Sequence, residues 1–301
     1  MTFPLMPVMS PTVSVPGVAW ETITSGIVGT NNLRYSANDS AGTWVAAGNS
    51  GVAFRSTDNG TTWLSSTVSS GQMFGAAYGN SLFAVAQDGG NDLYTSPYGS
   101  AWTSRISGSS RDHYQIKYND GYFVLGSGTG GGDGFIYGSP DGVTWTYGAQ
   151  GAVGSNAARC GIYVAALGRT FAGGSQYRYS NSVPTAATPW VSTQAEGLTN
   201  VIRDIAWSPV QSIAIICGDD GIFSSTNLTG WTLRVAGGMN GVAWCSDQFV
   251  AVGTGGTIYT SPNGIVWTLR TSGTTNALYG VSQGNGFIIV TGDNGTILRS
   301  S

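Results

Sequence analysis

Very few side chains in this sequence carry charge. Only 9% of its 301 residues are Asp, Glu, Lys or Arg, far below the usual quarter. The formal net charge of −3 leaves no broad basic field to gather nucleic acid or anionic lipid. Histidine occurs once, as His113, and cysteine three times, as Cys160, Cys217 and Cys245, with no metal-spaced pair. An odd cysteine count argues against a fully paired disulfide framework. Three buried thiols are the simpler reading, with one disulfide as the alternative. Neither a metal nor another cofactor is expected. The opening "MTFPLMPVMSPTVSVPG" lacks a charged leader and a long apolar run, so neither a signal peptide nor a membrane-inserting span is read there. No P-loop and no G-x-S-x-G elbow is present. The Gly-rich "GSGTGGGDG" at 126–134 has no lysine and precedes no helical pattern.

What the chain has instead is glycine, 47 residues of it, 41% hydrophobic residues, and a repeat. Trp20, Trp63, Trp102, Trp145, Trp190, Trp231 and Trp267 are spaced by 43, 39, 43, 45, 41 and 36 residues. Units of about 40 residues cannot close a core alone, but stacked neighbours can. Each unit carries a short apolar run such as "WVAAG", "LFAVA", "YFVLG", "YVAAL" or "FVAVG". A second strand pattern follows ("VAFRS", "DLYTS", "TIYTS"), then a turn, a tryptophan and a third strand. A fourth precedes the apolar run ("NLRYS", "QIKYN", "GVAWC"), with a degenerate copy near "AARCG". These β-branched and aromatic runs have strand length, and no stretch sustains a helical period. Four strands in each of seven units predict an all-β fold, a seven-bladed β-propeller of four-stranded antiparallel blades.

The ends bear on closure. The last unit stops at "TILRSS", whereas the others continue into a turn and tryptophan; "SVPGVAW" at 14–20 mimics the turn of "SPDGVTW" at 139–145. The N-terminal strand is therefore expected to complete the last blade, leaving residues 1–13 as an extended arm and 14–301 as the propeller. Strand pairing across that seam removes two open edges.

The repeated turn carries a family resemblance. In "STDNGTTW", Ser56, Asp58, Gly60 and Trp63 resemble the S-x-D-x-G-x-x-W Asp-box of BNR-repeat propellers, such as sialidases and glycan-binding propellers. "SPDGVTW" matches with one residue fewer, through Ser139, Asp141, Gly142 and Trp145. Tyr98 and Asn263 replace the acid in two other copies. In the family this turn lies on the outer part of a blade and is not catalytic. The residues suit a brace: Asp accepts backbone N–H groups of its own turn, Asn can do the same, and Gly tolerates positive φ. The tryptophans Trp20, Trp102, Trp190, Trp231 and Trp267 are expected, with Trp63 and Trp145, to wedge neighbouring blades apart.

The catalytic set implied by the sialidase resemblance is missing: three arginines on a carboxylate, an activated tyrosine and an acid cannot be assembled from the motifs. Arg34, Lys117, Arg159 and Arg203 lie near the innermost strands. Aligned on the aromatic that follows, Arg34 and Lys117 read as equivalent positions; with Arg203 and Asp204 they are candidates to line the central channel. Long loops in three consecutive units place Asp88, Asp92, Arg111, His113, Asp133, Arg169 and Phe171 on one sector of one rim, a candidate binding surface. Charge-poor, Gly/Ser/Thr/Asn-rich composition suits a noncatalytic structural or receptor-binding virion module of a bacteriophage. Residues 1–12 would dock it to other assembly proteins, and the rim would meet a host-surface glycan or protein. A secreted or cellular scaffold, a glycan binder and a glycoside hydrolase stand as alternatives.

Overall fold

Short runs of Val, Ile, Ala and aromatics form the strands, and the polar, Gly-rich segments between them form the turns. The computed structural model describes residues 16–24, 31–89, 92–106, 111–128, 134–147, 157–175, 177–186, 191–192, 200–245 and 247–301. The arm at 1–13, Trp190 and Asp133 lie outside the described residues. The chain is an all-β propeller with four-stranded antiparallel blades. In sheet one, Leu33–Asn38 is innermost, followed outward by Trp44–Gly48, Val52–Ser56 and Leu64–Thr67. The same simple order recurs in sheets two (72–106), three (112–147), four (160–192), five (202–236) and six (239–270). Burial follows position: Trp44–Gly48 is buried throughout, whereas three of the four residues in Leu64–Thr67 are exposed.

Sheet seven is assembled from both ends of the chain. Its inner three strands are Leu278–Gly284, Phe287–Gly292 and Ile297–Ser300, and Glu21–Thr22 is its outermost strand. Glu21 pairs with Arg299 and Thr22 with Leu298, antiparallel. Gly17 N–H donates to Ser300 Oγ at 2.7 Å, Ile23 N–H donates to the Ile297 carbonyl at 2.9 Å, and Arg299 Nε meets Glu21 at 2.6 Å. The N-terminal strand thus completes the last sheet, as the two chain ends imply.

The hydrophobic core is divided among the faces between adjacent sheets. Trp63 packs with Leu33, Phe54 and Ile289, joining sheets one and seven. Trp102 joins sheets one and two, Trp145 two and three, Trp231 four and five, Trp267 five and six, and Trp20 six and seven. Between sheets three and four the described cluster is Val124, Ile136, Ala158 and Ala172. A ring built this way stabilises each sheet only through its neighbours, so no unit is expected to fold alone. Cys160, Cys217 and Cys245 are buried and free in these faces.

Sheet four departs from the sequence reading. "YVAAL" was expected to be its second strand, but the inner strand is Cys160–Val164 and the second is Arg169–Gly173. A tight turn over Ala165–Leu167, ended by Gly168 at φ 59°, joins them. Composition alone favours the apolar run; burial of Thr170, Phe171 and Ala172 against the neighbouring sheet selects the later strand.

Candidate ligand site at the channel mouth

The repeated turn is a hydrogen-bonded brace. Asp58 Oδ1 accepts from Ser56 Oγ at 2.7 Å and from the Thr62 amide at 2.8 Å, and Trp63 Nε1 donates to the Gly60 carbonyl at 2.9 Å. Asp141 Oδ1 accepts from Ser139 Oγ at 3.0 Å and from the Val143 and Thr144 amides at 2.8 and 2.7 Å; Trp145 Nε1 donates to the Gly142 carbonyl. At Asp58 slight burial, which raises the pKa, is outweighed by donors from Thr62, Ser56 and Thr61, so the carboxyl titrates below its ordinary value. The Thr144 and then Val143 amides hold Asp141 low in the same way. Asn227 and Asn263 accept the equivalent amide bonds in sheets five and six. A turn that works with either acid or amide is serving geometry.

The rim residues divide. Asp88 and Asp92 lie at the loop end of sheet two, where Asp92 accepts from Tyr94 Oη at 2.9 Å. Arg111 stacks over Phe135 at 4.0 Å and donates to Tyr137 Oη at 3.1 Å. His113 and Phe171 are not displayed on a rim. Both are fully buried, His113 with Nδ1 3.1 Å from Ser127 Oγ and Phe171 edge-on to Trp231 at 5.6 Å. Arg169 is at the opposite end of the strands, because the revised register of sheet four puts it in the first hairpin. There it donates to Asn181 Oδ1 at 2.9 Å and to the Asn227 carbonyl at 2.5 Å.

Inner strands from all seven sheets surround a central channel. At the end shared with Asp88 and Arg111, six of those strands bulge, for example between Leu33 and Ser36, Met73 and Gly75, and Met239 and Gly241. A bulge re-aims the inserted side chain. Here the re-aimed residues are Arg34, Phe74, Tyr114, Arg203, Asn240 and Tyr279, and Arg159 stands at the corresponding place before sheet four. Together with Tyr35 and Gln115, they line a cavity of about 80 Å3. The Arg34 guanidinium lies 4.0 Å from the Tyr279 ring and 5.1 Å from the Phe74 ring, and Arg159 lies over Tyr114 at 5.0 Å. Arg203 pairs with Asp219 at 2.8 Å; both are partly exposed, so the pair adds little stability.

Arg34 and Lys117 are therefore not equivalent. Both strands bulge at the same place, so Arg34 corresponds to Tyr114, and Lys117 lies deeper, beyond the bulge. Lys117 Nζ reaches across to Asp204 Oδ1 at 2.8 Å and donates to the Val242 carbonyl at 3.4 Å. Buried Asp204 also accepts from the Val242 and Ile205 amides at 2.9 and 2.6 Å. This group ties sheets three, five and six across the channel. Beyond it the opposite mouth widens to about 420 Å3, with Tyr78, Tyr118, Trp207 and Trp244 among its walls.

No family model matches the chain, and no curated protein matches it. Solved structures do. YCF48 bound to D1 peptide superposes with a TM-score of 0.71 at 16% identity, covering 97% of this chain and 99% of that one. YCF48 from Cyanidioschyzon merolae gives 0.68 at 16% identity, over 94% and 98%. The WD40 propeller domain of Doa1 gives 0.71 at 14% identity, over 94% and 97%. The fold is the propeller shared with these proteins.

Tyrosine chemistry at the mouth runs away from nucleophilic activation. Burial, then the Asp204 charge, pushes the Tyr35 phenol well up; burial, then Asp112, raises Tyr114; burial, then the hydrogen bond to Asp293, raises Tyr279. Asp88 is also raised, by burial and then by Asp112, against the opposing fields of Arg159 and Arg34. Of the rim and channel candidates, only Arg34 and Arg203 line this cavity, with Asp88 and Arg111 at the same end of the sheets. The sequence reading missed Tyr35, Phe74, Tyr114, Gln115, Asn240 and Tyr279 there; their signal was their place in each unit, two to four residues into the inner strand. Among the described residues no three His, Cys, Asp or Glu side chains group as a metal site, and no helix is long and apolar enough to cross a membrane.

Proposed function

We propose that the chain is a noncatalytic, seven-bladed binding propeller of the Asp-box type that engages a protein partner as a component of a bacteriophage particle. The observation that carries the binding reading is the channel mouth: three arginines, four aromatics and two amides converge on one cavity, and no carboxylate lines it. Glycoside hydrolysis uses a pair of carboxyl groups flanking the bond, and the walls of this cavity supply neither. Tyr35, Tyr114 and Tyr279 are pushed away from ionisation. YCF48, a propeller of the same shape, is bound to a D1 peptide, so a ring of this size can hold a protein segment. Virion placement draws on the charge-poor composition and on the apolar, proline-bearing segment 1–12, an arm suited to docking on a larger assembly. An extracellular placement is the alternative.

A host-surface glycan is the second reading, favoured by the aromatic walls of the opposite mouth, where Asn38 and Gln283 add polar groups. The test of the leading reading is mass spectrometry of particles purified from the source of this chain. The chain is expected in them, and deleting residues 2–12 is expected to reduce its incorporation several-fold while leaving the melting temperature of the purified ring unchanged. Particles that lack the chain, or incorporation indifferent to the arm, would overturn the virion role.

A further inference from the structure

The cavity at the arginine-bearing mouth contains an unanswered polar group. Gln115 is only 2% exposed, yet neither its Oε1 nor its Nε2 finds a partner in the protein. Burying both ends of an amide unpaired is costly, and native interiors seldom retain such groups. Its backbone leaves it no freedom to retreat: the Gln115 amide N–H is fixed on the Arg159 carbonyl at 3.2 Å. In the same cavity Arg34 Nε is buried and also without a partner.

The arginine geometry says what could answer them. The rings of Phe74 and Tyr279 lie against the Arg34 guanidinium, 5.1 and 4.0 Å from its central carbon, Tyr279 also shares a hydrogen bond with it, and its buried Nε remains without a partner. A planar fork of donors matches a carboxylate edge to edge. Arg159 is likewise stacked on Tyr114, whereas Arg203 already answers Asp219. Asp88 lies in the field of Arg34 and Arg159, but it is not among the residues lining the cavity. Gln115 then adds a requirement that a bare anion does not meet, because its Oε1 needs a donor while its Nε2 needs an acceptor. A side-chain carboxylate or a phosphate dianion brings acceptors only. The last residue of a peptide brings both, a carboxylate and the N–H of its own amide, a few ångströms apart. A volume of about 80 Å3 suits such an end.

We infer that this mouth is a carboxylate-recognising pocket for the free C-terminus of an extended partner chain, with Arg34 and Arg159 on the carboxylate and Gln115 on the adjoining amide. This rests on the partner-binding reading above and names the group it recognises. The test uses the full chain and three probes: N-acetylglycine, N-acetylglycinamide and inorganic phosphate, titrated by ligand-observed NMR. N-acetylglycine should bind, and its amide should bind about tenfold more weakly or worse, the loss expected for a charge-assisted pair. Arg34→Gln and Arg159→Gln should each weaken N-acetylglycine by about tenfold, and Gln115→Met should weaken it measurably. Arg270→Gln, on an outer strand where Arg270 donates to Thr260, should match the parent. Arg159→Gln keeps the test decisive if Arg34→Gln fails to fold. Equal binding of acid and amide, phosphate binding tighter than N-acetylglycine, or arginine variants that bind as the parent does would each overturn the assignment. Incorporation of Arg159→Gln into particles separates the two claims. Probe binding lost with incorporation intact removes the partner reading and keeps the pocket. Incorporation lost without any probe binding keeps the partner and removes the carboxylate.

Discussion

At the scale of single residues, the repeated turn shows how a brace differs from a catalyst. Asp141 spends its oxygen on Ser139, Val143 and Thr144, all within its own turn. Asp58→Ala and Asp141→Ala should each cost about 1 kcal/mol through lost turn bonds, read by chemical denaturation. The folded pKa of Asp141 is depressed, so its contribution is complete above the ordinary carboxyl value of about 4 and fades as pH falls through the folded value. The stability gap between parent and Asp141→Ala should therefore be flat from about pH 7 to 5 and narrow below about pH 4. A gap that persists unchanged at pH 2, or an Asp141 variant of parental stability that loses all ligand binding, would contradict the brace. The companion glycine is a matter of space as well as of φ. Gly142 sits at φ 73° with Phe123 3.1 Å from where a Cβ would stand, whereas the same place in sheet five holds Leu228 at φ 62°, fully buried in the wedge. The sequence pattern shows that a left-handed residue belongs there; the room between two particular sheets decides whether it can carry a side chain.

At the scale of the strand, sheet four carries the correction with the widest consequence. Moving the second strand from "YVAAL" to Arg169–Gly173 sends Arg169 to the far face and puts Phe171 into the core against Trp231. Phe171→Ala should then cost about 3–5 kcal/mol in denaturant stability, without a selective effect on N-acetylglycine binding measured below the unfolding transition. Unchanged stability with lost binding would return Phe171 to a binding surface. Short strands of similar composition are interchangeable by pattern, and their register is set by which residues a neighbouring sheet can bury. The bulges of the inner strands pose the same problem. Nothing in "NLRYS" or "QIKYN" announces the inserted residue, so aligning on the following aromatic equated Arg34 with Lys117. The three-dimensional register separates a cation at the mouth from one tied to Asp204 within the channel.

At the scale of the molecule, closure is a long-range contract between the two ends. Trp20 packs on the cluster that contains Val250, Ile258 and Leu298, and Arg299 reaches from the last sheet to Thr61 Oγ1 of the first at 2.6 Å. Deleting residues 1–22 removes the outer strand of sheet seven, exposes an edge and empties one wedge. Loss of the buried aromatic surface alone is expected to cost up to about 3–5 kcal/mol, and the open edge invites intermolecular pairing. Size-exclusion chromatography with light scattering should find the truncated chain aggregated, or monomeric only with a markedly lower melting temperature. A monomer with parental stability would refute closure by this strand.

The sequence by itself determined the repeating unit, its strand pattern outside sheet four, six of the seven wedge tryptophans, the turn chemistry and the pairing of the ends. Each of these depends on local composition or on a pattern that recurs along the chain, and burying one face of a short strand requires the same residues in every copy. Tertiary structure alone decided which side chains meet. Arg34 lies more than a hundred residues before Arg159 and Arg203 along the chain, yet ring closure brings all three to one cavity with Gln115. His113 and Phe171 looked like rim residues because they neighbour long loops, and packing buried both. A closed ring places corresponding positions of distant units around one axis, so a site there is written once per unit in the sequence and becomes a site only when the ring shuts.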